Sequence, residues 1–442
     1  MKTFCIHTLG CKVNQYESQQ IRQMLEDSAL VQVNLSEGPD LVVVNTCCIT
    51  HIASSKSRQN IRKAQKRNPD AVIVVTGCLP AGNTGELKNI SGDIRVIDRK
   101  NGLPEALNSI IACNSSTDTP SRPINDTKIK YKKHYRTNKS TLREYKDQSR
   151  AFLKVQDGCD GYCTYCIVPT IRNQISSKKA SDILEEASAL VYAGHKEIVL
   201  TGIFLGAWGK QTVRRRKWET EESSMLAELV DQVASVKGLK RLRLSSLEPA
   251  DVTDELIYVF NKHSNIMPHL HLPLQSGSRS ILKKMARQYT IEAFLDTIDM
   301  VKSRLDRPAL TTDIIAGFPG ETDRDFNDTC EIAEQVGFSK IHTFSFSPRK
   351  NTPADKMDNK IPPEVIKERS KILHEIDEKL QNQFRQKFIG EEIEVVVEQT
   401  SPPKGRTGKY FMVEINNAQK FKKGDLVKAV LNEDAFTAQV CG

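Results

Sequence analysis

Three cysteines stand close together near the middle of the chain: Cys159, Cys163 and Cys166. Their C-x3-C-x2-C spacing gathers thiolates, which are ligands of soft metals and of iron–sulfur clusters. Three such ligands hold three irons of a 4Fe-4S cube and leave the fourth open to a small molecule. Zinc would need a fourth ligand nearby, and no histidine or cysteine lies between Cys166 and His195. The spacing therefore favours a reactive cluster over a zinc knuckle or three unrelated thiols.

Length and composition indicate a multidomain protein without a membrane span. The 442 residues, 38% of them hydrophobic and 27% charged, suggest about three domains at ~150 residues each. The longest apolar runs, such as Leu41–Val44 and Ala71–Val75, are far shorter than the roughly 20 residues that cross a bilayer. Met1–Phe4 does not resemble the start of a signal peptide, which predicts a cytoplasmic location and no membrane partner.

The charge and the cysteine count narrow the class of function. A net charge of +9 permits a polyanionic partner such as RNA, although many proteins without one are equally basic. The chain has 11 cysteines, an odd number, and no secretion signal is evident. A disulfide framework is therefore not expected, and metal binding or catalysis is the better explanation of these cysteines.

Residues 1–118 alternate predicted strands and helices, which predicts an α/β domain with a parallel sheet. Cys11, Cys47 and Cys78 each follow a predicted strand. Ligands of open parallel sheets bind beyond the carboxyl ends of the strands, so these cysteines are candidates to meet there. Cysteine is also a common buried residue, and the pattern alone fits a structural role equally well.

The central region contains six predicted strands separated by helices: Phe152–Val155, Ile198–Thr201, Arg241–Leu244, His269–Leu274, Leu310–Ile315 and Ile341–Phe346. This number predicts an open, partial (β/α)6 barrel, because a complete ring of the common kind has about eight strands. Chemistry in such barrels occurs at the carboxyl ends of the strands. Ser246, Glu248 and Gln275 fall at those ends, where turn residues without function are the alternative.

Two basic segments and the C-terminal tail complete the chain. The segment 119–144 is basic with interleaved aromatics, and Arg214–Trp218 is a basic run near the predicted barrel rim. Both suit contact with RNA phosphates and bases, and both are equally explained as solvated loops. Pro363–Phe388 predicts a long helix, and short strands at 393–397, 410–415 and 426–431, with turns at 401–405 and 423–425, predict a small β-barrel.

The central motif resembles the radical S-adenosylmethionine (SAM) superfamily and, through Gly158–Pro169 and Arg172, its methylthiotransferase branch. Leu9–Ser18, Asn45–Cys47 and Gly77–Cys78 resemble the motifs of that family's N-terminal domain. The tail resembles its RNA-binding TRAM domain. The resemblance implies a domain at 1–118, a linker at 119–144, a radical SAM core at 145–375 and a TRAM domain at 376–442.

The resemblance also implies the cofactors and their ligands. Two 4Fe-4S clusters would be held by six cysteines: Cys11, Cys47 and Cys78 for one, and Cys159, Cys163 and Cys166 for the other. Cys47 is preferred over its neighbour Cys48 because it matches the Asn-Thr-Cys motif. SAM would bind the open iron of the second cluster with its adenine near Tyr165. Ser246, Glu248 and Gln275 would contact SAM or the substrate.

The implied reaction replaces a C–H bond by C–SCH3. The motif Leu9–Ser18 resembles the branch that acts on N6-threonylcarbamoyladenosine beside the tRNA anticodon. The partners would be tRNA, SAM, a low-potential electron donor and a sulfur donor. The alternatives are isopentenyladenosine in tRNA, an aspartate of a ribosomal protein, and a non-catalytic protein that binds metal and RNA.

Four departures from the family pattern are visible: Leu79–Ala81, where glutamine is expected, Asn173 and Asn351 in place of glycine, and Phe204 in place of asparagine. Asparagine tolerates positive φ better than other non-glycine residues, so we expect the turn at Asn351 to form. Phe204 removes a polar group near the rim, which predicts altered contacts with SAM or RNA.

Overall fold

In a computed structural model the chain divides into two compact units, Met1–Leu142 and Arg143–Gly442. The structure describes residues 1–82, 94–97, 102–113, 141–217, 225–416 and 421–441, together with Gly85, Leu87 and Ile90. Trp218 and all but residues 141–144 of the basic segment 119–144 lie outside these ranges. Over the described residues, no helix combines the length and the apolar character that crossing a membrane requires.

The first unit is built on a five-stranded parallel sheet with the order β2-β1-β3-β4-β5. Its strands are β1 (Thr3–Thr8), β2 (Val31–Gln32), β3 (Leu41–Thr46), β4 (Val72–Gly77) and β5 (Ile94–Val96). Its helices are α1 (Lys12–Asp27), α2 (His51–Arg67), α3 (Cys78–Ala81) and α4 (Leu103–Cys113).

Helices cover both faces of this sheet. Leu25 of α1 and Leu107 of α4 belong to one apolar cluster with Val43, whereas Ile61 of α2 packs with Val44 on the other face. All six residues of β3 are consequently buried. The predicted parallel α/β domain is confirmed, although β2 was not foreseen because both of its residues are exposed.

The second unit contains six parallel strands in two sheets, one of which also carries the short antiparallel strand β7. The strands are β6 (Ala151–Asp157), β7 (Ser176–Ser177), β8 (Glu197–Gly202), β9 (Arg241–Leu244), β10 (His269–His271), β11 (Ala309–Ala316) and β12 (Lys340–Ser345). The helices are α5 (Val168–Ile171), α6 (Ala180–Tyr192), α7 (Met225–Ala234), α8 (Asp254–Lys262), α9 (Arg279–Lys284), α10 (Ile291–Arg304), α11 (Asp323–Val336) and α12 (Pro363–Gln386).

These six strands form the predicted partial barrel. The order β6-β8-β9 continues to β10-β11-β12 through a parallel bridge between Leu242 and Ile266. Among the described strands, β6 and β12 do not pair, so the ring is open. The six strands predicted from the sequence are all present, and the (β/α)6 interpretation is confirmed.

A closed five-stranded barrel with the order β13-β14-β15-β17-β16 ends the chain. Its strands are β13 (Glu392–Thr400), β14 (Pro403–Thr407), β15 (Met412–Asn416), β16 (Leu426–Leu431) and β17 (Thr437–Val440). The prediction of a turn over 401–405 was wrong in part, because β14 occupies Pro403–Thr407. Proline is tolerated as the first residue of a strand. Gly405 fits closely there, because an added Cβ would lie 2.4 Å from Val395 Cγ1.

Charged and aromatic side chains fix this C-terminal barrel to the amino-terminal ends of the core strands. Glu197, the first residue of β8, accepts a hydrogen bond from Arg243 at 2.9 Å. The same arginine donates to the carbonyl oxygen of Thr407 at 2.6 Å. His269, the first residue of β10, stacks on Tyr410 with ring centroids 3.8 Å apart. Glu197 and Arg243 are both buried, so the junction is part of the protein interior.

Candidate active site and cluster-binding cysteines

The loop after β6 carries three half-buried cysteines, called the loop triad below: Cys159, Cys163 and Cys166. The strand ends at Asp157, and the chain turns at Gly158 with φ of +85°. An added Cβ at Gly158 would lie 1.9 Å from the carbonyl oxygen of Gln174. This turn therefore requires glycine, and it places the loop triad at the carboxyl end of the first core strand.

The loop triad has the chemistry of an iron–sulfur ligand set. Burial, with Cys163 nearby, raises the pKa of Cys159 and of Cys166 to about 12. Such thiols keep their protons at neutral pH unless a positive charge replaces them, as bound iron does. Among the described residues, no three Cys, His, Asp or Glu side chains surround a single ion. A 4Fe-4S cube does not require this, because its cysteines bind separate irons.

Arg287 joins three of the residues predicted from the sequence. Its guanidinium donates to Cys163 Sγ and to Tyr165 Oη, each at 3.2 Å. Its other terminal nitrogen donates to Glu248 Oε1 at 2.6 Å. The turn after α9 is also tied to the loop, since the N–H of Thr164 donates to the carbonyl of Met285 at 3.0 Å. Sequence reasoning missed Arg287, and no motif marked it.

The other predicted site residues lie on the rim of the core. Tyr165 packs against an apolar cluster that includes Met285 and Phe318. Ser246 is exposed after β9. Gln275 follows β10 with φ of +61°, and its N–H donates to the carbonyl of Asp313 at 2.8 Å. Within the described residues, no hydrogen bond joins the side chain of Ser246 or of Gln275 to the loop triad.

The basic run at 214–218 is partly folded into this site. Arg215 donates to Asp251 at 2.6 Å, lies 3.7 Å from Glu248, and stands over the ring of Phe204 at 5.6 Å. Arg214 donates to the carbonyl of Asp160 at 2.9 Å. Phe204 therefore supports an internal arginine where a polar side chain was expected. Arg215 is thus engaged by side chains of the protein itself, Trp218 lies beyond the described residues, and the RNA contact of this run stays a prediction.

The departure at Asn351 has a simple structural outcome. Asn351 adopts φ of +72°, a left-handed conformation that asparagine tolerates. The turn after β12 therefore forms as expected. Asn173 follows the buried Arg172 and is exposed, and nothing in the structure explains its replacement of glycine.

Three further cysteines lie at the carboxyl edge of the first unit's sheet and are called the edge triad: Cys11, Cys47 and Cys78. Each directly follows a strand or its turn, β1, β3 and β4 in that order. Gly10 has φ of +112° and Gly77 has φ of +95°. A Cβ added to Gly10 would lie 3.1 Å from Cys47 Cβ. These glycines therefore allow the strand ends to approach one another.

Asn14 connects two members of the edge triad. The thiols of Cys11 and Cys78 both point to its Oδ1, at 3.9 and 3.8 Å, so the two sulfurs are no farther apart than the sum of these distances. The Nδ2 of Asn14 donates to the carbonyls of Leu9 and Thr46 at 2.8 and 3.0 Å. Asn14 is fully buried. Sequence reasoning quoted it within a motif but gave it no role.

Cys47 and its neighbour Cys48 have different surroundings. The Cys48 thiol is fully buried and donates to the carbonyl of Cys78 at 3.2 Å. The backbone N–H and carbonyl of Cys47 both bond to the hydroxyl of Ser57, at 3.1 and 2.9 Å. This arrangement is compatible with Cys47 as the ligand, and the choice between the two remains a prediction.

Comparison with known proteins gives this geometry a family. The family model described as "Uncharacterized protein family UPF0004" matches residues 3–97, and the model described as "Radical SAM superfamily" matches residues 153–333. Threonylcarbamoyladenosine tRNA methylthiotransferase MtaB of Bacillus subtilis is 36% identical over 90% of this chain and 85% of its own. The protein of the same name from Thermotoga maritima is 38% identical, with 90% and 87% covered. A tRNA-2-methylthio-N(6)-dimethylallyladenosine synthase from Acetivibrio thermocellus is 35% identical, with 90% and 81% covered.

The chain belongs to the radical SAM methylthiotransferase family. The cofactors of this family are SAM and two 4Fe-4S clusters. Solved structures agree on the fold. The radical SAM methyltransferase TsrM from Kitasatospora setae aligns with a TM-score of 0.55 at 14% identity, covering 80% of this chain and 77% of its own. The radical SAM enzyme OxsB aligns with a TM-score of 0.51 at 11% identity, covering 86% and 56%.

Proposed function

We propose that this methylthiotransferase acts on N6-threonylcarbamoyladenosine beside the tRNA anticodon and makes its 2-methylthio derivative. The observation that carries the chemistry is that one chain holds two cysteine triads, each at the carboxyl ends of parallel strands. The choice of nucleoside is supported by relatives of 36% and 38% identity that bear this activity in their names. The corresponding domain boundaries are 1–118, 119–144, 145–375 and 376–442.

The two triads would have separate tasks. The loop triad holds the cluster beside which SAM binds, and the edge triad holds the second cluster. When bound, one SAM with its cluster would supply hydrogen abstraction, the second cluster would pass on the sulfur atom, and a second SAM would supply the methyl group, which together convert C–H into C–SCH3. The electrons and the sulfur atom come from a low-potential electron donor and a sulfur donor outside this chain.

The chain's own residues bind and orient. Tyr165, on its apolar support, offers a surface on which the adenine of SAM packs. Arg287 fixes the positions of Tyr165 and Glu248 relative to Cys163 through its three hydrogen bonds. Glu248, with Ser246 and Gln275 on the rim, contacts SAM or the substrate.

One alternative substrate has specific support. The relative from Acetivibrio thermocellus named for dimethylallyladenosine also covers 90% of this chain, at 35% identity. That enzyme and the proposed one differ in the group carried on the adenine. The chemistry and the two triads would be the same, so only the substrate assignment depends on this choice.

Mass spectrometry of tRNA nucleosides from cells that lack the protein tests the proposal. We expect 2-methylthio-N6-threonylcarbamoyladenosine to disappear and to return with the wild-type chain but not with Cys163→Ala. Cys330→Ala, in α11 and outside both triads, is the matched control and should restore the nucleoside. Loss of the methylthio group from the isopentenyl nucleoside alone would move the assignment to the alternative. If neither nucleoside changes, the substrate lies elsewhere, and the ribosomal-protein aspartate and a non-catalytic protein that binds metal and RNA become the next candidates.

A further inference from the structure

Helix α2, which begins four residues after Cys47, has an unusual charge composition. It carries six cations, Lys56, Arg58, Arg62, Lys63, Lys66 and Arg67, and no carboxylate. The longer helix α12 carries five cations balanced by five carboxylates. A solvated surface helix normally mixes both signs, as α12 does. The composition of α2 therefore suggests a partner that supplies the negative charge.

Four of these cations form one surface, called the α2 patch: Arg62, Lys63, Lys66 and Arg67. All four are exposed, and they line a shallow depression of about 450 Å³. No described carboxylate forms an ion pair with any of them. Residues three and four apart on a helix are neighbours, and like charges at such positions repel one another. The helix dipole favours Lys66 and Arg67 in the last turn, but it does not account for Arg62 and Lys63.

The α2 patch lies on the helix that begins four residues after Cys47, a member of the edge triad. Arg62 lies eleven residues after His51, the start of α2, or about 17 Å along the axis at ~1.5 Å per residue. Near the cysteine end of the helix, Ile49 and Ile52 are 40% and 68% exposed. One end of this surface is thus apolar, beside the cysteines, and the other is cationic.

We propose that the α2 patch binds the phosphodiester backbone of the tRNA whose base is presented at the edge triad. This inference rests on the proposed function, because it takes tRNA as the substrate. The α2 patch begins about 17 Å along the helix axis from the cysteine end of α2, a distance that a short stretch of nucleotides spans. Phosphates a few nucleotides from the modified base would therefore reach the α2 patch, while Ile49 and Ile52 face bases or riboses.

The surface suits a phosphate backbone better than an acidic protein. Its depression is lined by four cations, whereas the apolar residues Ile61 and Ala64 of the same stretch are buried. Protein interfaces normally have an apolar centre within a polar rim. Contact with phosphates needs cations alone, and it carries no sequence information.

The test is tRNA binding by the holoenzyme over a series of salt concentrations. The test variant is R62Q/K63Q/K66Q/R67Q, and the control of equal charge change is K367Q/K371Q/K379Q/K387Q, on α12 and its C-cap. The probe is tRNA purified from cells that lack the protein. We expect the test variant to bind at least about tenfold more weakly at ~0.1 M salt, with a salt slope lower by roughly three to four, since each lost phosphate contact removes about one. The control should change the slope by less than about one.

Further readouts separate this inference from the proposed function. SAM cleavage without tRNA and the methylthiolation rate at saturating tRNA should be unchanged in the test variant. Wild-type affinity and slope in the test variant would overturn the inference. It would also fail if tRNA binding were unchanged while reduction by an acidic electron-transfer protein slowed. If the wild-type chain bound tRNA through the α2 patch but did not modify threonylcarbamoyladenosine, the proposed function would fail and the α2 patch would stand.

Discussion

The two cysteine triads are assembled in different ways. The loop triad lies within eight consecutive residues, from Cys159 to Cys166, so its ligands are close together before any sheet exists. The edge triad is spread from Cys11 to Cys78 and comes together only when β1, β3 and β4 pair side by side. One site is a property of a loop, and the other is a property of a folded sheet.

The difference shows where each triad is vulnerable. The loop triad depends on contacts from far along the chain, chiefly that of Arg287, which also holds Tyr165 and Glu248. The edge triad depends on strand pairing and on Asn14, which bonds to the strand ends at Leu9 and Thr46. A substitution at Arg287 should therefore impair the loop triad and spare the edge triad, and a substitution at Asn14 should do the reverse.

The largest effect is expected from removing one ligand of each triad. Cys163→Ala should abolish SAM cleavage and methylthiolation, and Cys47→Ala should abolish methylthiolation while SAM cleavage continues. Each variant should lose about half of the iron, since each cluster holds four of the eight atoms. Iron analysis and detection of 5′-deoxyadenosine check this.

Cys48→Ala is the control for the edge triad. We expect full iron content and activity, because the Cys48 thiol is fully buried and already donates to the carbonyl of Cys78. If Cys48→Ala loses iron and Cys47→Ala does not, the ligand assignment must be exchanged.

Arg287→Met tests the long-range support of the loop triad. Truncating one partner of a buried charged hydrogen bond costs about 2–5 kcal/mol, so we expect kcat/KM for SAM to fall roughly 100-fold, about 2.7 kcal/mol. Arg287→Lys should recover part of the loss, because it keeps the charge without the fork of donors. Arg279→Met, at an exposed arginine of α9, should leave kcat/KM unchanged. An equal loss in both methionine variants would contradict the role of Arg287.

Asn14→Asp tests the sheet-dependent triad. The substitution replaces a donor to two carbonyls by a carboxylate oxygen, which leaves these groups facing one another and adds charge beside Cys11 and Cys78. We expect the free energy of unfolding of the first unit to fall by about 2 kcal/mol, with loss of edge-triad iron and retention of SAM cleavage. Denaturant titration and iron analysis measure this, with Asn60→Asp on the surface of α2 as control. If the free energy of unfolding and the iron content of Asn14→Asp equal those of the wild type, Asn14 does not support the edge triad.

Phe204→Ala should have the smallest effect. It removes the ring beneath the guanidinium of Arg215, a contact of about 0.5–2 kcal/mol, while the ion pair with Asp251 remains. We expect a few-fold rise in KM for SAM and no change in iron content. A loss as large as that of Arg287→Met would place Phe204 among the residues that bind SAM directly.

Much of the fold follows from the sequence, because alternating apolar strands and amphipathic helices fix a parallel arrangement. The six core strands and the N-terminal sheet were predicted in this way. β14 was taken for a turn because Pro403 and Gly405 are rare inside strands, yet proline is the first residue of β14 and glycine fits against Val395. Local composition does not reveal such tertiary reasons.

The residues of the candidate site also include some that the sequence reveals and some that only the folded structure brings into place. The cysteine positions are visible in the sequence because their spacing or motif marks them. Arg287 is not, because its contacts arise where the turn after α9 packs onto the loop triad. The position of Arg215 against Phe204 and Asp251 is likewise tertiary, whereas the sequence shows only a basic run with a tryptophan near the rim, which led to the expectation of RNA contact.

The junction at Glu197, Arg243 and Thr407 has a consequence for how large a ligand this unit can span. The C-terminal barrel packs against the amino-terminal ends of the core strands, whereas the loop triad lies at the carboxyl end of the first core strand. For β8, of six residues, this interval is about 20 Å at ~3.3 Å per residue. The length of the core strands thus sets the distance between the C-terminal barrel and the loop triad. A ligand that contacts both must lie along the side of the core, and a longer strand would increase the distance between these two contact sites.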